Sequence, residues 1–197
     1  MRALLVTLVL LLGTMPLATA QWHLGLELAT IRYRGSSRDT SGSHVITGGG
    51  PAGGLALGIS IGHHWRRLAG TVRIAYANPG FAVAGNDMSI VDKTTGRLAE
   101  ATLLVGTRVG GIGTSGAARL ELGPSLHLWD FDGEVRARGG AIGAASYEWP
   151  VSSRFTGAIR LEGMASPSWF NATDVPPDFE RRVTWRYGVG LGLHYRL

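Results

Sequence analysis

Two short stretches of the sequence place a serine hydroxyl close to a group that could activate it. Ser125 and His127 are two residues apart, and hydrolases use an imidazole beside a hydroxyl for nucleophilic attack on an acyl carbon. Asp87 and Ser89 form a second pair, with one residue between them. A catalytic triad is defined by its geometry and not by sequence order. Both pairs are therefore candidates for acyl-transfer chemistry.

Two other motifs do not fit the chemistry that their residue types suggest. His63 and His64 are adjacent, and adjacent side chains of a strand point to opposite faces, so these imidazoles are not expected to chelate one metal ion. Gly48, Gly49 and Gly50 form a glycine run, but it lacks the lysine and the following helix of a phosphate-binding loop. The sequence thus predicts neither a metal site nor a cofactor.

The last stretch of the chain, Val183–Leu197, carries a clear pattern. Large apolar residues occupy every second position, and Thr, Arg, Gly and His lie between them. Successive side chains of a strand point to opposite faces, so one face is a continuous apolar stripe. Such a stripe is typical of a membrane-spanning strand of about 9–11 residues, since strands of soluble proteins have about five or six. A long edge strand of a soluble barrel is the alternative.

The same alternation predicts eight antiparallel strands in an up-and-down barrel. The predicted strands are Trp22–Tyr33, Gly54–Trp65, Ala69–Ala77, Leu98–Val109, Ala117–Trp129, Gly139–Trp149, Phe155–Met164 and Val183–Leu197. Short turns alternate with longer loops, which are predicted at Arg34–Gly53, Asn78–Arg97, Asp130–Arg138 and Ala165–Arg182. Bacterial outer-membrane barrels have this arrangement, with short periplasmic turns, long extracellular loops and an even number of strands.

The first 20 residues predict a cleaved secretory signal peptide, which leaves residues 21–197 as one barrel domain. Arg2 precedes an apolar core, Ala3–Leu12, and Ala18-Thr19-Ala20 is a small-residue cleavage site. The apolar core is too short for a transmembrane helix, which needs about 20 residues. The chain has no Cys, which excludes disulfides and thiolate metal sites.

The charge content restricts the partners of the chain. Charged residues make up 17% of it, fewer than the roughly 25% of soluble domains. The formal net charge of +5 could favour nucleic acid, but the sequence has no basic helix or base-stacking motif. We therefore expect no nucleic-acid partner, and anionic lipid headgroups are the expected neighbours.

The apolar stripes could face inward or outward. In a soluble lipocalin-like carrier they would line an apolar ligand cavity, whereas in a membrane barrel they would contact lipid. The opposite face is rich in Gly and Ala, with few charges of both signs, which favours a narrow lumen. Aromatic residues recur near strand ends, as in the two interfacial girdles of membrane barrels. The predicted girdle residues are Trp22, Trp65, Tyr76, Trp149, Phe155, Trp185 and Tyr195.

The C-terminal stretch resembles the last strand of bacterial outer-membrane β-barrels, in which apolar or aromatic residues follow a glycine at alternate positions. Gly190, Leu193, Tyr195 and Leu197 fit this signature, although that family usually ends in Phe or Trp. From residue 21 onward the chain resembles the small eight-stranded outer-membrane proteins of the OmpA-transmembrane and OmpX-like group. The resemblance implies a Gram-negative-type outer membrane, periplasmic termini, insertion by the outer-membrane assembly machinery, and contact with lipid and lipopolysaccharide.

Some eight-stranded barrels are enzymes that modify lipid A. The deacylases use a His-x-Ser pair with a carboxylate, whereas Ser125 and His127 have the reverse order and lie on the predicted inner face. Asp87 and Ser89 resemble the Asp-Ser pair of the palmitoyl transferases with one residue inserted. We predict a non-enzymatic barrel, with a lipid A-modifying enzyme and a lipocalin-like carrier as the alternatives.

Charged residues on the predicted inner face should form a mixed-sign belt that fills the lumen. An eight-stranded barrel is just wide enough for its side chains to fill it, and unpaired buried charges would be costly. The candidate lumenal residues are Glu27, Arg73, Glu100, Arg108, Arg119, Glu121, Arg160, Glu162 and Arg186. We therefore expect a structural anchor that contacts an unidentified surface partner through its long loops, with Trp169 and Phe170 as candidate contact residues.

Overall fold

The computed structural model describes residues 21–42, 46–65, 68–86, 89–92, 96–112, 116–131 and 133–197. The predicted signal peptide, residues 1–20, lies outside the described residues, as does Asp87 of the candidate Asp87–Ser89 pair. A short 3-10 helix, Ala172–Asp174, lies in the last long loop. None of the helices in the described ranges is both long and apolar enough to cross a membrane.

Eight long strands form a closed antiparallel barrel, as predicted. Each strand pairs with the next long strand of the chain, and the first pairs with the last, so the sheet has no free edge. The barrel strands are β1 (Gln21–Arg34), β4 (Gly53–Trp65), β5 (Leu68–Ala77), β8 (Arg97–Ile112), β9 (Gly116–Phe131), β10 (Glu134–Pro150), β11 (Phe155–Ser166) and β13 (Thr184–Arg196). Closure satisfies the backbone hydrogen bonds of every strand, which a barrel surrounded by lipid requires.

The register of the strands keeps apolar residues together on the outer surface. Leu28 lies opposite Leu191 on one side and opposite Leu57 on the other, and all three are exposed. The next residues along these strands point inward, where Glu27 lies opposite Gly192 and Gly58. Because the apolar stripes face outward, the lipocalin-like alternative, which needs them inside, is wrong.

The two ends of the barrel differ. One end, here called the short-turn end, holds Gln21, Arg196 and the short connections after β4, β8 and β10. The other end, here called the loop end, holds the long connections. Predicted as irregular loops, these contain two small sheets. The first pairs β2 (Ser37–Asp39) with β12 (Phe179–Arg181), and the second has the order β3 (Ile46–Pro51), β6 (Phe81–Gly85), β7 (Ser89–Asp92).

The predicted loop Asp130–Arg138 is wrong, because β9 and β10 extend through it. Phe131 pairs with Glu134 next to a tight turn, so the hairpin continues beyond the end of β11. Gly133 has a φ of 85°, and its N–H donates to the Asp130 carboxylate over 3.2 Å. A glycine in this left-handed conformation, together with an aspartate bonded to the turn backbone, is a local signal for a hairpin turn.

A charge on the lipid face should be far more harmful than a polar group on the neighbouring inner face. Leu191 is 64% exposed near the middle of β13, so Leu191→Arg is expected to cost about 2–4 kcal/mol of unfolding free energy. Gly192→Ser should cost less, since a Cβ there would meet Glu27 Cγ at 3.5 Å and His194 Nε2 at 3.4 Å, which are ordinary contacts. Urea titration of the barrel refolded into lipid vesicles measures both, and equal losses would contradict the assigned faces.

Candidate functional site

The middle of the lumen is crossed by a network of buried ion pairs. Arg73 lies at its centre and is 2% exposed. Its Nε donates to Glu27 Oε2 over 2.8 Å and its Nη1 to Glu100 Oε1 over 3.2 Å. The same Nη1 lies 3.6 Å from Glu162 Oε2. One guanidinium therefore connects carboxylates from three other strands, β1, β8 and β11.

Arg186 and Arg160 extend this network across the lumen. Arg186 Nη2 donates to Glu162 Oε1 over 2.8 Å and to Glu100 Oε1 over 3.1 Å, and its Nη1 also bonds Glu100. Arg160 binds Glu121 directly, and its Nε lies 3.4 Å from Glu162 Oε2. The network thus joins side chains from six of the eight barrel strands, namely β1, β5, β8, β9, β11 and β13.

Glycines on the inner face provide the space for these long side chains. A Cβ at Gly188 would lie 2.8 Å from Glu162 Cγ, and one at Gly106 would lie 2.8 Å from Glu121 Cγ. A Cβ at Gly58 would lie 3.2 Å from Arg73 Nε. The alternation of apolar residues with glycine therefore has two effects: one face contacts lipid, and the other leaves room for charged side chains from neighbouring strands.

The structure brings together seven of the nine candidate lumenal residues and separates the other two. Arg119 lies closer to the short-turn end, where its Nη2 donates to Glu148 Oε2 over 2.9 Å. Arg108 is exposed at the mouth of that end and does not belong to the network. The sequence analysis placed His127 on the inner face but did not assign it to the charge network, where its Nε2 lies 3.2 Å from Glu100 Oε2. It did not single out Glu148, which also lies on the inner phase of its strand, so strict alternation could have identified it.

Above the network, towards the loop end, the lumen is filled by apolar side chains. The inner face there carries the buried residues Ile31, Leu98, Ile142 and Met164. An aromatic cluster covers them and is made of Tyr33, Phe81, Trp129, Phe131, Trp169 and Phe170. Its ring centroids are 5.5 Å apart between Trp129 and Trp169 and 4.7 Å apart between Phe131 and Trp169. We call this group the aromatic plug.

The candidate contact residues of the last loop are part of this plug. Trp169 is 2% exposed, which corrects its assignment as a surface contact, and Phe170 is half-buried. Arg138 of β10 holds the last long loop in place. Its Nη2 donates to the Trp169 carbonyl over 3.2 Å and to Asn171 Oδ1 over 2.7 Å. The sequence could not reveal this packing, because the partners of Trp169 come from distant segments.

An exposed acid of the same loop is held by neighbouring donors. The Asn171 backbone N–H donates to Asp174 Oδ2 over 2.7 Å, and Arg136 Nη1 donates to the same oxygen over 2.5 Å. The Asn171 N–H first, and then the Arg136 guanidinium, hold the pKa of Asp174 below its usual range. The carboxylate is therefore ionised at neutral pH and links the loop to β10.

The candidate catalytic pair is enclosed in the lumen. His127 is fully buried and Ser125 is 5% exposed, and both face the interior of β9. A Cβ placed at Gly140 would lie 3.0 Å from Ser125 Oγ and 3.1 Å from His127 Cε1, so the neighbouring strand β10 packs closely beside them. An acyl chain that contacts the exposed leucines would lie outside the barrel, on the far side of this sheet.

The predicted girdle residues lie on the outer surface in two groups. Trp22, Trp65, Trp149, Phe155 and Tyr195 lie near the short-turn end, and Tyr76 and Trp185 lie nearer the loop end. At the short-turn end the rings pack on neighbours, with centroids 5.2 Å apart between Phe155 and Tyr195. His63 also faces outward, between Trp22 and Trp65, whereas His64 faces the lumen. The described residues contain no group of three or more His, Asp or Glu arranged to hold a metal ion.

The open space in the lumen is small at its centre. A cavity of about 20 Å³ lies beside Glu27, Arg73 and Arg160. A cavity needs at least about 10–15 Å³ by this measure to hold one water molecule. The centre of the lumen thus has room for roughly one water between the ion-pair network and the short-turn end.

Removing one partner of a buried ion pair should destabilise the barrel, and removing both should restore part of the loss. Glu121→Gln leaves the Arg160 guanidinium without its closest carboxylate, and the expected cost is about 3–5 kcal/mol. Adding Arg160→Gln to that variant should recover part of this loss. Urea titration measures each variant, with Glu134→Gln as the control because the Glu134 carboxylate, which pairs with Arg136, is exposed at the end of the hairpin. Losses that add would contradict a coupled buried pair.

Comparison with solved structures identifies the fold. No protein-family model matches the sequence, and no curated protein sequence matches it. The structure is similar to OprG of Pseudomonas aeruginosa, with a TM-score of 0.61 and 12% identity, covering 90% of this chain and 96% of that one. It is similar to Neisserial surface protein A, with a TM-score of 0.60 and 11% identity, covering 91% and 99%. Outer membrane protein W of E. coli gives a TM-score of 0.51 and 10% identity, covering 91% and 98%. The chain therefore has the closed eight-stranded barrel fold of the small bacterial outer-membrane proteins.

Proposed function

We propose that this protein is a non-enzymatic integral β-barrel of the outer membrane of a Gram-negative-type bacterium. The observation that carries the proposal is the opposite character of the two barrel faces. Leucine, isoleucine and valine are exposed around the outside, whereas paired Glu and Arg side chains are buried inside. In water the outer surface would be an unusually large apolar patch, and in lipid it is the surface that a membrane barrel needs.

The proposed route to the membrane begins with the signal peptide over residues 1–20. After cleavage, the outer-membrane assembly machinery would insert residues 21–197, with the short-turn end in the periplasm. Arg32, Arg34 and Arg97 are exposed near the loop end, on strands whose outer residues are apolar further along. These guanidiniums suit contact with the phosphate groups of lipopolysaccharide, whereas the apolar surface contacts the lipid chains.

We propose that the barrel is an anchor with a largely filled lumen. The ion-pair network crosses its middle, the cavity beside Arg73 and Arg160 holds about 20 Å³, and the aromatic plug covers the loop end. An enzymatic role in lipid A modification is less favoured, because Ser125 and His127 are buried where a membrane lipid does not reach them.

The proposed role of the anchor is to present its extracellular loops to a surface partner. The loops are held as two small sheets rather than as free chain, so their shape is largely fixed before binding. Ile46, Ile90 and Val91 are exposed on the three-stranded sheet and replace Trp169 as candidate contact residues. Exposed apolar groups on a rigid support are typical of protein-binding surfaces.

Cysteine labelling in intact cells tests this proposal, because the chain has no Cys of its own. Ser41 is exposed at the loop end, and Ser153 is exposed in the turn between β10 and β11. A membrane-impermeant maleimide should label Ser41→Cys in whole cells and should label Ser153→Cys only after the outer membrane is permeabilised.

Both variants should fractionate with the outer membrane and show heat-modifiable gel migration, as a folded barrel does. Labelling of Ser153→Cys but not of Ser41→Cys in whole cells would contradict the proposed orientation. Recovery of the unmodified protein in the soluble periplasmic fraction without detergent would contradict the membrane role itself.

A further inference from the structure

The short-turn end of the lumen opens into a vestibule that the proposed anchor function does not use. Its volume is about 310 Å³, and it lies below the ion-pair network. Inward-facing basic side chains line it, namely His23, His64, Arg108, Arg119, His194 and Arg196. A space of this size lies at the lower end of the range of small-molecule sites, about 300–1,000 Å³.

The vestibule has an excess of positive charge. Among the described residues that line it, Glu148 is the only acid, and it already accepts a hydrogen bond from Arg119 over 2.9 Å. Arg108 and Arg196 are exposed at the mouth, and neither forms an ion pair within the described part of the chain. Two guanidiniums are therefore free to bind an anion that enters from the short-turn end.

Buried imidazoles add polar groups that face the same space. His23 is 6% exposed, its ring stacks on His64 with centroids 4.5 Å apart, and it lies 5.6 Å from the His194 ring. His23 Nδ1 and His64 Nε2 are buried and make no hydrogen bond with any described residue. Since buried polar atoms are nearly always hydrogen-bonded, these two nitrogens need a polar partner, water or a ligand, beyond the described residues.

The backbone is shaped around the imidazoles. A Cβ at Gly62 would overlap the His23 ring, and a Cβ at Gly25 would lie 2.8 Å from His194 Cδ2. Only glycine at these two inner-face positions leaves the rings in place. His194 also links the vestibule to the charges around it, with Nδ1 4.0 Å from Glu148 Oε1 and Nε2 3.9 Å from Glu27 Oε1.

We propose that this vestibule binds a phosphate group, either free phosphate or the phosphodiester of a phospholipid headgroup. The guanidiniums of Arg108 and Arg196 supply charge-assisted donors at the mouth, and imidazole N–H groups of His23 and His64 supply donors inside. A metal cation is disfavoured, because three arginines surround the imidazoles. In the proposed orientation the site faces the periplasm.

Binding of inorganic phosphate to the refolded barrel in uncharged micelles tests the site. Isothermal titration at constant ionic strength, balanced with chloride, should give saturable binding to the wild type. The double variant Arg108→Gln/Arg196→Gln should bind at least tenfold more weakly. The control Arg38→Gln/Arg181→Gln removes the same charge from exposed positions of β2 and β12 at the loop end and should bind as the wild type does.

A second measurement does not depend on any variant folding. In nitrogen-15 spectra of the histidine rings, phosphate should shift the signals of His23 and His64, which face the vestibule, and leave His63, which faces outward, unchanged. Titration with glycerophosphoglycerol distinguishes the two sources, because a site for headgroups binds this diester as well as phosphate, whereas a site for free phosphate prefers the monoester.

The proposal would be overturned if neither inorganic phosphate nor glycerophosphoglycerol bound saturably. Equal weakening of phosphate binding in the two double variants, or equal shifts of the signals of all histidine rings, would overturn it as well. Because the titration uses the refolded barrel, this outcome is independent of the cysteine-labelling result, which tests the membrane orientation.

Discussion

The ion pairs around Arg73 and Arg186 are the interaction on which the interior of this barrel depends. Each buried carboxylate of the network contacts at least one guanidinium, Glu100 contacts two, and Glu162 contacts three. A single buried charge without a partner would cost several kcal/mol, so the strands that carry these residues are fixed relative to one another. A shift of one strand by one residue would move its charges into lipid and its leucines into the lumen.

This constraint explains the division of the lumen into three layers. At the loop end, distant segments meet in an apolar core covered by the aromatic plug. In the middle, glycines on neighbouring strands leave space for long charged side chains. At the short-turn end, His23, His64 and the exposed arginines surround a wider vestibule. The outer face of the barrel, in contrast, shows no such layers, because all of it contacts lipid.

Local alternation was enough to predict the barrel and most of its interior. In each strand, alternate residues face lipid and the lumen, and the strand's own sequence shows this alternation. The period of two therefore predicts the eight strands and the inward direction of Glu27, Arg73 and Glu100. Arg108 was misassigned because alternation gives the face of a residue and not its depth, which depends on strand tilt and stagger. His127 and Glu148 lie at the depth of charged residues on other strands, so His127 contacts Glu100 and Glu148 pairs with Arg119.

The loop end could not be predicted from local patterns. β2 pairs with β12 across more than half the chain, and Trp169 is buried by aromatic residues from two other segments, β6 and β9. Such contacts form because the barrel brings loops that are distant in sequence close together in space. The sequence of one loop does not show which other loop it will contact. The extension of β9 and β10 through Asp130–Arg138 was missed for a smaller reason, because this stretch of glycine and charged residues was predicted as a loop.

The central claim is that paired side chains fill the lumen, and single-channel recording in planar bilayers tests it most directly. If the network and the aromatic plug block the passage as proposed, the wild-type barrel should produce no stable open channel. Stable, large single-channel conductance from the folded wild-type protein would contradict this account.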